Sequence, residues 1–262
     1  MHAWQDDDAL AEQYADASNL AARQVLHARF STASQSLHEW LFDQFDLPAD
    51  ASVLSLGAGH GAFWAVNDGR LPETWDVTVT DNSSGMVMDA MEALEDCSHD
   101  LNFDAVDARD VPYPDDAFDA VTAHHVLYHL DDAGREAALS EIRRVLKPSG
   151  TLYASTNGED NLAEVFDVAS EFGDVPDELA FSLENGAEGL RREFADVELR
   201  RFDDELRVTT HEPLVAYVLS LPGFDGDDAM DIADAFRARL DASDGELRVT
   251  KDVGVFVASG QT

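Results

Sequence analysis

Lysine is nearly missing from this chain of 262 residues: only Lys147 and Lys251 occur, and lysine and arginine together number 17 against 54 aspartates and glutamates, a formal charge of -37. The acidic balance by itself argues only weakly against nucleic acid, but there is no basic stripe with interleaved aromatics either, so nucleic acid is not an expected partner. Cysteine is as scarce. Cys97 alone excludes an internal disulfide and a cysteine-based metal site, and it reads as a small apolar residue. Long apolar runs are also lacking, and the first residues, "MHAWQDDDAL", show neither a basic stretch nor an apolar one, so the expectation is a soluble cytoplasmic protein without a membrane span. No acidic tail gathers the carboxylates; they recur in short clusters such as "QDDDA", "PDDAFD" and "DGDDAMD". At 45% hydrophobic residues the chain is too apolar for an acidic disordered one, so the acid belongs to a folded surface. Such a surface is expected in a salt-accumulating halophile, where molar salt shortens the Debye length to about 3 Å and screens the self-repulsion.

What the chain does contain is periodicity of two kinds. Residues 6 to 46 carry apolar side chains at helical spacing and read as two or three helices, closed by Pro48. Strands are then expected at 52 to 56, 76 to 81, 101 to 105, 118 to 123 and 151 to 156, with helices near 83 to 96 and 132 to 146 between them. That alternation implies a mostly parallel sheet covered on both faces. Beyond residue 157 helices are expected near 159 to 172, 186 to 194, 212 to 220 and 227 to 240, with β stretches at 197 to 209 and 246 to 258. The helices at 212 to 240 interrupt two strands and read as a cap.

The densest chemical signal is "VLSLGAGHGAFW", residues 53 to 64, an apolar strand followed by glycine at positions 57, 59 and 61 and then a helix. A loop without Cβ atoms at the end of a strand can turn tightly and seat a nucleotide-like ligand on its backbone. Asp81 ends the next strand, where a carboxylate can accept both ribose hydroxyls of an adenosine group; a helix-capping aspartate in "TDNSS" is the plain alternative. "GAGHGA" equally satisfies the dinucleotide fingerprint, so loop and acid by themselves leave a nicotinamide-dependent oxidoreductase open.

Downstream, "VDARDVPYPDDAFDAVTAHHVLYHLDD" and "EIRRVLKPSGTLYAST" follow in order. With the glycine loop they resemble class I S-adenosylmethionine-dependent methyltransferases of the small-molecule type, over about residues 10 to 156 and more loosely to the C-terminus. The resemblance implies a Rossmann-like α/β fold: a mostly parallel seven-stranded sheet with helices on both faces, an N-terminal helical lid segment (1–48), and a methyltransferase domain (49–262) with a helical cap near 212–240 before the last strand. It implies that Gly57, Ala58, Gly59 and Gly61 underlie the methionine part of the cofactor, that Asp81 with Asn82 holds the ribose, and that Asp107 and Ala108 take the adenine. Ser55, which the resemblance also places among the cofactor-binding residues, stands where the family usually has a carboxylate, and Ser149 in "LKPSG" where it usually has glycine.

In that family the end of the fourth strand faces the methyl group, which here is "AHHVLYH", residues 123 to 129. His124 is the expected catalytic and cofactor-facing side chain, with Tyr14 and Arg23 closing from the N-terminal segment and Tyr217, Leu221 and Phe224 forming an apolar lid. His125 and His129 share a helical face, but no carboxylate or cysteine completes a metal set, so no metal is expected. The implied partner is a small-molecule acceptor, with a non-catalytic S-adenosylmethionine-binding protein as the alternative that Ser55 raises.

Overall fold

The structure, a computed structural model, describes residues 18–175, 178–224 and 226–261. Seven strands form one sheet: β1 (Ser52–Leu56), β2 (Asp76–Asp81), β3 (Leu101–Ala105), β4 (Phe118–His124), β5 (Leu146–Asn157), β6 (Phe194–Val208) and β7 (Leu247–Gln261). Their order is β3-β2-β1-β4-β5-β7-β6. The first five pair in parallel, and β7 runs antiparallel to β5.

The helices between them are α1 (Ser18–Phe30), α2 (Leu37–Phe42), α3 (Ala62–Asn67), α4 (Ser84–Ala93), α5 (Asp132–Val145), α6 (Ala163–Ala169), α7 (Gly186–Glu193), α8 (Glu212–Leu219) and α9 (Ala229–Ala242). This is the Rossmann-like fold expected. Where the sequence supplies a cap the helix starts on it: the Ser83 hydroxyl accepts from the Met86 N–H at the head of α4, and the Asp131 carboxylate from Gly134 at the head of α5. Expected helix 159 to 172 is shorter, Ala163–Ala169, because Leu162 enters it through a left-handed backbone (φ 58°) while its N–H bonds the Thr250 carbonyl.

Both faces of the central strands are apolar, as parallel strands require. Leu54, Leu56, Val121, Leu152 and Phe256 lie in one buried cluster, while Val53, Val77, Val79, Ala120, Tyr153 and Val255 lie in another. Consecutive residues of β1 thus feed opposite layers.

The described residues fall into two compact units, those within 37–158, 180–202 and 253–261 in the larger and those within 18–36, 159–179 and 203–252 in the smaller. The larger holds the parallel strands. In the smaller, Leu26 and Phe30 of α1 pack with Leu162, Val165, Leu214, Val218, Ile232 and Phe236. A buried charge fastens this unit: Lys251 Nζ lies 2.9 Å from Asp204 Oδ2, with side chains 5% and 0% exposed, and the Ser31 hydroxyl and the Thr32 and Ala33 N–H groups donate to the same carboxylate. Burial works against the charged form of Asp204, but Lys251 and Ser31 outweigh it and hold the carboxyl below its ordinary range.

Candidate active site at the carboxyl ends of the parallel strands

In an open parallel sheet, ligands lodge beyond the carboxyl ends of the strands where the order reverses. Here the reversal falls between β1 and β4, and it brings the glycine loop after β1, Asp81 at the end of β2, Asp107 after β3 and His124 at the end of β4 to the same end of the sheet.

All three loop glycines are left-handed, with φ of 62° at Gly57, 56° at Gly59 and 80° at Gly61. Part of what approaches this backbone is the protein itself. A Cβ on Gly57 would sit 2.4 Å from Val126 Cγ2, and one on Gly61 2.8 Å from Leu94 Cδ1. The loop therefore packs on the turn after β4 and on α4, and both sterics and backbone conformation demand glycine at these two positions. The Ala58 N–H donates to the Thr80 carbonyl (2.8 Å), tying the loop to β2.

Asp81 accepts from the Gly59 N–H at Oδ2 and from the Ser83 N–H at Oδ1, both at 2.9 Å. The helix cap itself is Ser83, so Asp81 is free of that duty and fixes the loop instead. A carboxylate has about four acceptor sites, so these bonds do not exhaust its capacity to accept from a ribose hydroxyl. Burial pushes its carboxyl up, against the backbone bonds from Ser83, Gly59 and Asn82. Asn82 beside it is exposed.

Asp107 is engaged differently. Its Oδ1 accepts from Arg109 N–H (2.8 Å) and Nε (3.0 Å), and its Oδ2 from Nε (3.0 Å) and Nη2 (2.8 Å). Partial burial opposes ionisation, yet Arg109 prevails and holds the carboxyl below its usual value. Ala108 packs at the border of the core.

Ser55 is buried, and its Oγ accepts from the Thr122 hydroxyl at 3.0 Å, while its carbonyl accepts from Thr80 Oγ1 at 2.8 Å. The pair follows from register, since Ser55 and Thr122 are direct partners on β1 and β4. Nothing in composition or spacing singled out Thr122, although "AVTAHH" opposite "VLSL" carries the information once the strands are aligned.

His124 closes β4 with its ring 4.8 Å from that of Phe63. The residue as a whole keeps some exposure, but both ring nitrogens are sealed and neither has a hydrogen-bond partner among the described residues. Burial first, then the neighbouring His125 and His38, push it down to about 3, so the ring is neutral at physiological pH. His125 follows in a left-handed conformation (φ 58°), its N–H bonded to the Ser155 carbonyl at 3.0 Å.

Tyr14 lies outside the described residues. Arg23 donates to the Ser220 hydroxyl (3.0 Å) and carbonyl (2.6 Å), and Tyr217 and Leu221 are buried in the core of the smaller unit with Phe224 packed against it. His125, Tyr128 and His129 form a chain of ring contacts, and no group of His, Cys, Asp or Glu suited to a metal ion occurs among the described residues. A cavity of about 440 Å³ beside Asp46, Tyr153, Glu198 and Arg200 is lined by none of these site residues.

Residues 53–150, which span the loop and the ends of β1 to β4, match the family model described as methyltransferase domain. None of the curated proteins compared matches the chain. Among solved structures, a putative methyltransferase from Bacillus halodurans is 16% identical and covers 87% of this chain and 100% of its own, with a TM-score of 0.63. A Haemonchus contortus phosphoethanolamine N-methyltransferase 2 in complex with phosphomonomethylethanolamine and S-adenosylhomocysteine is 17% identical over 100% of this chain and 61% of its own, TM-score 0.61. The Haloferax volcanii complex of the Trm112 methyltransferase activator and a putative methyltransferase aligns over 96% of this chain and 97% of that one at 17% identity, TM-score 0.57. The match over residues 53–150 is thus to a methyltransferase domain, and the fold of the chain is the one shared by these solved structures.

Proposed function

We propose that the protein transfers a methyl group from S-adenosylmethionine to a small-molecule acceptor in the cytoplasm of a halophile. One observation carries the reading: three left-handed glycines at the switch point of the sheet, with Asp81 bonded to the middle one and keeping acceptor capacity to spare. Gly57, Ala58, Gly59 and Gly61 would seat the methionine part, Asp81 and Asn82 the ribose, and Ala108 with Asp107 the adenine. Asp107 would yield part of its hold on Arg109 to accept the adenine amino group. The bound sulfonium supplies the leaving group, so the chain's task is alignment and exclusion of water. His124, neutral and sealed, can donate or accept a hydrogen bond there but is too weak a base to draw a proton near neutral pH. The lid segment 1–48 with Tyr14, and the cap near 212–240, belong to the same proposal.

Calorimetry in molar KCl tests it. S-adenosylhomocysteine is expected to bind, and Asp81→Ala to weaken it by about 2–3 kcal/mol, the loss of two charge-assisted bonds. Binding of NADH instead would replace the reading by an oxidoreductase. Unchanged affinity in the variant would remove Asp81 from the site. A second reading, a binding protein without catalysis, is favoured by Ser55: its hydroxyl is occupied by Thr122, and the charge usual at that position is missing.

A further inference from the structure

His124 and Ser155 are direct partners on the adjacent strands β4 and β5, so their side chains leave the same face of the sheet at its carboxyl end. Adjacent strands lie only about 4.8 Å apart. Yet no hydrogen bond joins the two. Ser155 is 1% exposed, and its hydroxyl, like both ring nitrogens of His124, has no partner among the described residues. Buried polar groups in folded proteins are ordinarily satisfied, and an orphan on each of two neighbouring strands calls for a cause. The backbone next to them is also unusual: His125 is left-handed, uncommon for a residue other than glycine, and its N–H is bonded to the Ser155 carbonyl. Uncommon backbone and unsatisfied polarity thus meet at one spot. One residue further on, Val126 packs on Gly57, so the spot abuts the glycine loop.

We infer that His124 and Ser155 together form the acceptor subsite, and that they take an uncharged hydroxyl, donated to the bare nitrogen of one and accepting from the hydroxyl of the other. Calling the bound hydroxyl that of the methyl acceptor rests on the methyltransferase reading of the adjoining loop. The chemistry selects the class. A neutral imidazole offers one donor and one acceptor, and a serine hydroxyl can donate, so a single alcohol or phenol oxygen can bond the bare nitrogen of His124 and the Ser155 hydroxyl at once. A carboxylate would bring a buried charge to a place with no cation among these groups and would need donors on every side. The Phe63 ring against His124 supplies an apolar wall, which suits an aromatic or aliphatic alcohol.

The test uses the full chain, labelled with ¹⁵N-histidine and saturated with S-adenosylhomocysteine in molar KCl. The His124 ring resonances are identified by their loss in His124→Leu. Phenol is expected to shift them and benzoate to leave them in place, and Ser155→Ala to weaken phenol about fivefold, the value of one neutral hydrogen bond. Without any ligand, Ser155→Ala is expected to raise the Tm by about 2–4 °C, because it removes a buried hydroxyl that nothing satisfies. A fall in Tm would mean that the fold itself satisfies Ser155, and would overturn the inference. So would an equal response to benzoate, or no response to phenol in protein that binds S-adenosylhomocysteine. If phenol shifts His124 but S-adenosylhomocysteine does not bind, the hydroxyl subsite stands and the methyltransferase reading falls.

Discussion

Ser55 illustrates how one hydroxyl can decide between two outcomes. A carboxylate introduced there would meet the Thr122 hydroxyl but no cation, inside a strand buried on both faces. Ser55→Asp is therefore expected to lower the Tm by several degrees without tightening S-adenosylhomocysteine, as a buried charge without a counter-charge is costly. Thermal melts and calorimetry on the same preparation check it, and tighter binding would show that the position can still serve the cofactor. His124 yields a pH dependence with a definite sign. Its pKa falls from the ordinary histidine value near 6.5 to about 3 on folding, so between these limits the unfolded chain binds the extra proton. Stability from this group is lost as pH falls through that window, by about 1.4 kcal/mol per pH unit. At pH 5 the His124→Leu variant should take up about one proton fewer on unfolding than the parent. Equal uptake would show that the ring is not sealed.

At the level of elements, α5 governs the segment that leads from β3 to β4. Arg144 donates to the carbonyls of Val111 (2.8 Å) and Tyr113 (2.8 Å), to Asp115 (2.9 Å) and, through two nitrogens, to Glu141, which itself accepts from the Val111 N–H. The Asp116 N–H closes the return by bonding the Arg144 carbonyl. This planar fork cannot be copied by a point charge. Arg144→Ala is expected to cost about 2–3 kcal/mol, since it strands two carbonyls and a carboxylate, and Arg144→Lys should recover less than half of it. Denaturant melts measure both. Full recovery by lysine would mean that charge alone, and not the fork, holds the segment.

For the molecule as a whole the charge of -37 dominates. Many of the ion pairs are at the surface, such as Arg192 with Glu136 and Glu188, and exposed pairs of this kind contribute little each. They do not offset the general repulsion, so Tm is expected to climb steadily as KCl rises from millimolar to molar, with loosening or unfolding at the low end. A Tm that stays flat over this range would count against the halophile reading. No described helix is long and apolar enough to cross a membrane.

The order of strands and helices from β1 to β5 was legible because the central parallel strands are apolar on both faces, edge strand β3 alternates apolar and polar residues, and helical spacing marks the connecting helices, patterns that local sequence must carry. The glycine loop and Asp81 were legible for the same reason: a left-handed turn and the end of a strand are local properties. Extents were less so. β5 begins at Leu146, within "LKPSG", because extended backbone there pairs with Phe118, which no local pattern announces. The partners of the site were decided only by tertiary structure. Ser55 with Thr122, His124 beside Ser155, Val126 against Gly57 and Arg144 on Val111 join residues far apart in the chain. Strand order and register set these contacts, and both depend on how the whole sheet buries its two faces, a sum over the chain that no single stretch contains.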